Sequence, residues 1–145
     1  MSVHIYKILL IEDDDSHAEL IKRCFARVPL HTTIQRFPDG EQALQFLLGP
    51  DHKGREPIHN YDLVILDLRL PKINGLDILK ALDGENMTRD VPIVIFSTST
   101  TESDRQLALS LGARDYISKP VGYDDFQAAI QKMTHHLTKT KPRHV

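Results

Sequence analysis

Three short runs in this chain, Ile8-Leu9-Leu10-Ile11, Leu63-Val64-Ile65-Leu66 and Ile93-Val94-Ile95-Phe96, are apolar at every position. A strand with no polar face has to be covered on both sides, which is the situation of a central strand in a parallel sheet flanked by helices. Longer amphipathic segments separate the runs, so the spacing predicts a βα series. Thr32-Thr33-Ile34-Gln35-Arg36-Phe37 is mixed in polarity and reads as an edge strand, and Asp115-Tyr116-Ile117 is a weaker fifth. The expected fold is α/β, a parallel five-stranded sheet between two helical layers.

Helix starts are spelled by residues that cap. Ser16-x-x-Glu19, Asp39-x-x-Gln42 and Asp124-x-x-Gln127 have the form of a capping box ahead of apolar residues at helical spacing. Asn74-Gly75 opens another helix, and Thr101 or Ser103 caps a segment that stops at Leu111-Gly112. The stretch from Gly49 to Asn60 remains as a long polar loop, and loops of about 12 residues are uncommon in compact domains.

Composition narrows the function classes. The 145 residues suit one domain, and 18 Lys+Arg against 20 Asp+Glu leave a net charge of −2, without the basic excess of a nucleic-acid binder. No apolar run approaches the ~18 residues of a membrane helix. Met1-Ser2-Val3-His4 does not spell a signal peptide, and the single cysteine, Cys24, has no internal partner. A cytoplasmic protein is expected, with no nucleic-acid or membrane partner.

The chemistry sits at the ends of the strands. In an open parallel sheet, ligands bind in the crevice beyond the carboxyl ends. The first strand runs into Glu12-Asp13-Asp14-Asp15, the third into Asp67, the fourth into Ser97-Thr98-Ser99 and the fifth into Ser118-Lys119-Pro120. Carboxylates gathered there repel by about 1–4 kcal/mol per pair at 4 Å, so a cation is needed. Lys119 supplies one, and Mg²⁺, which takes oxygen ligands and substrate phosphate, is another. With Asp67 central, the set fits phosphoryl transfer: a carboxylate nucleophile, cations on the phosphoryl oxygens and a hydroxyl donor at Ser97. Asp14 or Asp15 is expected only to stabilise a helix N-terminus, His17 to lie on the surface and Cys24 in or near the core. The isomer of the Lys119-Pro120 bond is left open by the sequence. Neutralising Asp67 or Asp13 is expected to raise stability in the absence of metal.

At these residues the chain resembles the receiver domain of two-component response regulators, the CheY-like family. The likeness runs from about Lys7 to Leu137. It is carried by Leu10-Ile11-Glu12-Asp13, Leu66-Asp67-Leu68-Arg69-Leu70-Pro71 with Asn74-Gly75, Pro92 through Ser97-Thr98, and Gly112-Ala113 through Tyr116-x-x-Lys119-Pro120. The resemblance implies a flavodoxin-like (βα)5 sandwich of strand order 2-1-3-4-5, and phosphorylation by a histidine kinase. It makes Asp67 the phosphoacceptor. Mg²⁺ is then held by Asp13, Asp67 and the Arg69 carbonyl, and by Glu12 directly or through water. Ser97, Lys119 and the Thr98 N–H hold the phosphoryl group, and Tyr116 is the aromatic switch residue that follows Ser97. Glu12 departs from the commoner aspartate, and Ser97 from the commoner threonine. Arg69 and Ser99 fall at variable positions flanking the path of the hydrolytic water.

The long loop and Lys119-Pro120-Val121-Gly122-Tyr123-Asp124-Asp125-Phe126 are similar to stand-alone receivers that partner phytochrome-type histidine kinases. That likeness implies a phosphorelay partner and allows a homodimer. A receiver domain over residues 1–138, a basic tail over 139–145 and no output domain are expected, so that the signal passes to a downstream phosphotransfer or effector protein by contact. Two rival classes fit less well. A Mg²⁺-dependent aspartyl-phosphate phosphatase would carry its nucleophile on the first strand and need a covering cap. A flavodoxin-like cofactor binder would need a phosphate cradle where this chain has an acidic run.

Overall fold

The computed structural model describes residues 4–49, 58–99 and 101–139, with the backbone alone at 138 and 139. Most of the long loop and most of the basic tail therefore lie outside the described residues. Five strands, β1 (Tyr6–Ile11), β2 (Thr32–Phe37), β3 (Leu63–Leu66), β4 (Ile93–Ser97) and β5 (Asp115–Ser118), alternate with five helices. These are α1 (Asp15–Ala26), α2 (Gly40–Leu48), α3 (Gly75–Gly84), α4 (Glu102–Ser110) and α5 (Tyr123–Lys139). The sheet is parallel throughout, in the order β2-β1-β3-β4-β5. This is the doubly wound arrangement expected, with mixed-polarity β2 at an edge.

Strand alternation divides the core into two layers. Ile8, Leu10, Ile65, Val94 and Phe96 point to one face and pack on Ile21, Cys24 and Phe25 of α1 and on Phe126, Ile130 and Met133 of α5. Leu9, Ile11, Val64, Leu66, Ile93 and Ile95 point to the other and meet Ala43 and Leu47 of α2, Ile78, Leu79 and Leu82 of α3, and Ala108 of α4. Each all-apolar run thus supplies both layers, which is why it carries no polar residue. Cys24 is fully buried, as expected.

Side chains fix the helix starts. Asp39, Asn74 and Thr101 each accept from the backbone N–H three residues on, as their spelling predicts. Two starts differ. Asp14, not Ser16, caps α1 by accepting from His17 N–H, so the helix begins a residue ahead of Ser16. The last helix begins at Tyr123, with Asp124 inside its first turn and the Gly122 carbonyl accepting from Phe126 N–H. The Leu111-Gly112 stop is as expected. Gly112 has φ +103°, and Gly112 N–H and Ala113 N–H donate back to Leu109 O and Ala108 O. The Lys119-Pro120 bond is trans, as is every peptide bond among the described residues.

The turn from β3 into α3 brings the fold to the crevice. Gly75 N–H donates to Leu68 O at 2.9 Å. A Cβ on Gly75 would lie 2.3 Å from Asp67 O and 2.7 Å from Leu68 Cα, both backbone atoms that cannot swing aside. Gly75→Ala should therefore lower stability by more than about 2 kcal/mol and displace the Asp67 peptide. Denaturant unfolding measures the first effect; a variant as stable as the wild type would show that the turn yields.

Candidate functional site

Four strand ends converge on one crevice, and backbone hydrogen bonds continue the sheet just past them. Glu12 N–H donates to Phe37 O, Asp67 N–H to Ile11 O, and Lys119 N–H to Ser97 O. The side chains of Glu12, Asp67, Ser97 and Lys119 are thereby carried on backbone tied into the sheet ladder. All four residues are buried, at 1%, 5%, 0% and 9% exposure. Buried charges survive only when paired and hydrogen-bonded, and here each charge has partners.

Lys119 is the centre of the network. Its Nζ donates to Glu12 Oε1, to Asp67 Oδ2 at 2.8 Å, and stands 2.9 Å from His17 Nδ1. Asp67 Oδ1 accepts from Ser97 Oγ at 2.7 Å and from Arg69 N–H at 3.1 Å. Glu12 Oε2 accepts from Asp14 N–H at 3.2 Å. Every carboxylate oxygen of the buried pair is therefore met by a donor.

The two buried carboxyls nonetheless differ. Burial pushes Glu12 up to about 7; Lys119 and the Asp14 N–H pull it back, and the Asp67 charge adds to the rise. Burial acts on Asp67 in the same sense, but Lys119, the Arg69 N–H and the Ser97 hydroxyl together outweigh it and hold its carboxyl below the usual range. On this balance the less favourable charge is that of Glu12, so neutralising Glu12 is expected to bring the larger relief.

Asp13 completes an acidic cluster from the rim, where it is exposed. Glu12, Asp13 and Asp67 each offer a carboxylate oxygen within 4.8 Å of the others. An all-oxygen donor set of this charge fits a hard divalent cation such as Mg²⁺, and a cation is what would ease the Glu12 carboxylate. Asp14 and Asp15 are not in the cluster: one caps α1, and the other pairs with Arg36 at 2.8 Å. Arg69 lies beside Asp67 with its side chain exposed, and Thr98 follows β4 with its side chain exposed.

A second chain of contacts leads away from the site. Ser97 Oγ accepts from Ser99 N–H, Ser99 Oγ donates to Asp104 Oδ2 on α4, and Tyr116 Oη donates to Ser99 O at 2.7 Å. Tyr116 on β5 is thus tied through the loop after β4 to the hydroxyl that touches Asp67. The structure brings together Glu12, Asp13, Asp67, Ser97 and Lys119 as the sequence places them. It also adds His17, which sequence reasoning leaves on the surface. The missed signal is its place in the first turn of a helix that opens on the crevice, since helical side chains lean back toward the N-terminus.

A doubly wound parallel α/β sheet with a lysine-bridged acidic crevice at its carboxyl edge defines the class. Residues 8–131 match the model of the response regulator receiver domain family. The chain belongs to that family, whose members are signalling domains of two-component systems that bind Mg²⁺ at an acidic pocket and interact with histidine kinases and downstream partners. It is 34% identical over 126 residues to the probable methanogenesis regulatory protein FilR2 of Methanothrix harundinacea, covering 87% of this chain and 79% of that one. A response regulator receiver domain from Rhodospirillum rubrum superposes with TM-score 0.78 at 40% identity, over 91% of this chain and 92% of that one. The phosphorylated cyanobacterial phytochrome response regulator RcpA superposes with TM-score 0.81 at 26% identity, over 95% and 97%. The chain spans about half the length of several other curated relatives it matches. No helix among the described residues is long and apolar enough to cross a membrane.

The contrast between the two buried carboxyls sets a stability profile. A raised carboxyl contributes stability that is complete below its unfolded pKa and lost as pH rises through its folded one. Metal-free wild-type protein should therefore lose stability between about pH 4.5 and pH 7. Glu12→Gln should flatten that window and be more stable than wild type at pH 8 by roughly 1–3 kcal/mol, with Mg²⁺ narrowing the gap. Urea midpoints in chelator and in Mg²⁺ test this; a flat wild-type profile with no gain in the variant counts against it.

Proposed function

We propose that this protein accepts a phosphoryl group on Asp67 from a histidine kinase and signals by changing its protein contacts. The observation that carries the reading is the Asp67 carboxyl, held ionised between Ser97 Oγ and Lys119 Nζ. An ionised carboxylate is the nucleophile that the transfer requires. One Asp67 oxygen attacks phosphorus, a P–O bond forms, the P–N bond of the donor phosphohistidine breaks, and the imidazole leaves with the bonding pair. The product keeps the charge on the phosphoryl oxygens. Lys119, Ser97 and the Thr98 N–H are the groups assigned to neutralise those oxygens.

Glu12, Asp13, Asp67 and the Arg69 carbonyl are the residues assigned to hold Mg²⁺. When bound, the ion supplies positive charge to the phosphoryl oxygens and relieves carboxylate repulsion. Ser97 and Tyr116 form the switch: a shift of Ser97 toward the new phosphoryl group alters its contact with Ser99, whose carbonyl holds the Tyr116 hydroxyl. Moving a two-state equilibrium from 1:99 to 99:1 takes about 5.5 kcal/mol of differential interaction, within the scale of new phosphate contacts to a buried lysine and a metal.

The donor is assigned to the phytochrome type of histidine kinase. The likeness to RcpA along nearly the whole of both chains supports this. A receiver spanning residues 1–138 with a basic tail over 139–145, a cytoplasmic site of action, a downstream phosphotransfer or effector partner and a homodimer belong to the same reading.

Incubation with acetyl phosphate and Mg²⁺, read by intact mass, tests the chemistry. Wild-type protein should gain one phosphoryl group, and Asp67→Asn none. A gain that persists in Asp67→Asn, or no gain in the wild type, contradicts the assignment.

A further inference from the structure

The acidic run Glu12-Asp13-Asp14-Asp15 presents four adjacent carboxylates, yet only the first two join the cluster with Asp67. Asp14 is accounted for by capping α1. What sorts the rest is Arg36, in edge strand β2. Its Nε donates to the Glu12 carbonyl at 2.9 Å, and its Nη1 pairs with Asp15 Oδ1 at 2.8 Å. Glu12 N–H meanwhile donates to Phe37 O at 3.1 Å. Both backbone groups of Glu12 are thus tied to the end of β2, one by the strand ladder and one by a side chain.

The Asp15 contact is weak in energy, because that carboxylate is 92% exposed. The contact holds the Asp15 carboxylate against Arg36, outside the cluster of Glu12, Asp13 and Asp67. Its Nη2 is buried without a hydrogen-bond partner among the described residues. A buried donor left unmet is costly, and what the position gains from arginine is its contacts through Nε and Nη1. It suits arginine as a planar fork spanning two points of the acidic loop, which a lysine point charge cannot do.

We propose that Arg36 is the positioning residue of the acidic site, fixing the Glu12 backbone and turning Asp15 outward so that Glu12 and Asp13 are presented to Mg²⁺. The inference rests on the reading of Glu12, Asp13 and Asp67 as the metal site. Charge and positioning predict opposite signs. Deleting a cation beside an acidic cluster tightens divalent-cation binding if only its charge matters, and weakens it if Arg36 sets the geometry.

Calorimetric titration with Mg²⁺ of the wild type, Arg36→Met and Arg36→Lys measures the sign. Arg36→Met should bind about tenfold more weakly, the scale seen for partners that orient metal ligands, and Arg36→Lys should not restore wild-type affinity. Should Arg36→Met fail to fold, Arg36→Lys carries the test. Its acetyl phosphate reaction should need about tenfold more Mg²⁺ for half-maximal rate and reach the wild-type rate at saturation. Unchanged or tighter binding in Arg36→Met, or full affinity in Arg36→Lys, overturns the inference. Wild-type protein that takes up no Mg²⁺ overturns the metal-site reading and this inference with it.

Discussion

Lys119 holds together two buried carboxylates that would otherwise repel. Its ammonium bridges Glu12 on the loop after β1 and Asp67 after β3, and reaches His17 on α1 as well. The segments that follow β1, β3 and β5, far apart in sequence, are therefore joined at one buried nitrogen. The pair is asymmetric: the same lysine outweighs burial at Asp67, with help from Ser97 and the Arg69 N–H, and falls short at Glu12. A crevice that keeps one carboxylate ionised and the other reluctant to ionise is suited to an additional cation.

This arrangement depends on the sheet being parallel. Each all-apolar run ends in a polar residue, and parallel pairing puts those ends on one edge. The helices supply the second requirement, since α1 and α5 cover one face and α2, α3 and α4 the other. Gly75 lets α3 begin against the Asp67 peptide itself, so the loop after β3 turns straight back into the fold. From Asp67, contacts run through Ser97 and Ser99 to Tyr116 on the edge strand β5 and to Asp104 of α4.

The layout was legible in the sequence because it rests on patterns that tertiary context rarely overrides. Four consecutive apolar residues demand cover on both faces, and an acid directly after such a run, as at Glu12 and Asp67, must emerge at its end. Asp39 and Asn74 cap as their spelling predicts, and Thr101 rather than Ser103 caps α4. In the acidic run the spelling is ambiguous: Asp14 competes with Ser16 and takes the cap, while Asp15 is drawn off by Arg36 from another strand. The contacts of His17, read as a surface residue, and of Arg36 could not be foreseen for the same reason. Their partners, Lys119 and the Glu12 carbonyl, are supplied by tertiary structure and leave no local pattern. The inequality between Glu12 and Asp67 was likewise out of reach, since it depends on which donors each carboxylate meets.

Unfolding of Lys119→Met by urea, in chelator and in Mg²⁺ at pH 8, tests the central claim most directly. Removing the ammonium leaves buried carboxylates without their partner, so the metal-free variant should lose about 3–5 kcal/mol and recover much of it in Mg²⁺ or on acidification. A variant as stable as the wild type in chelator at pH 8 would contradict the account.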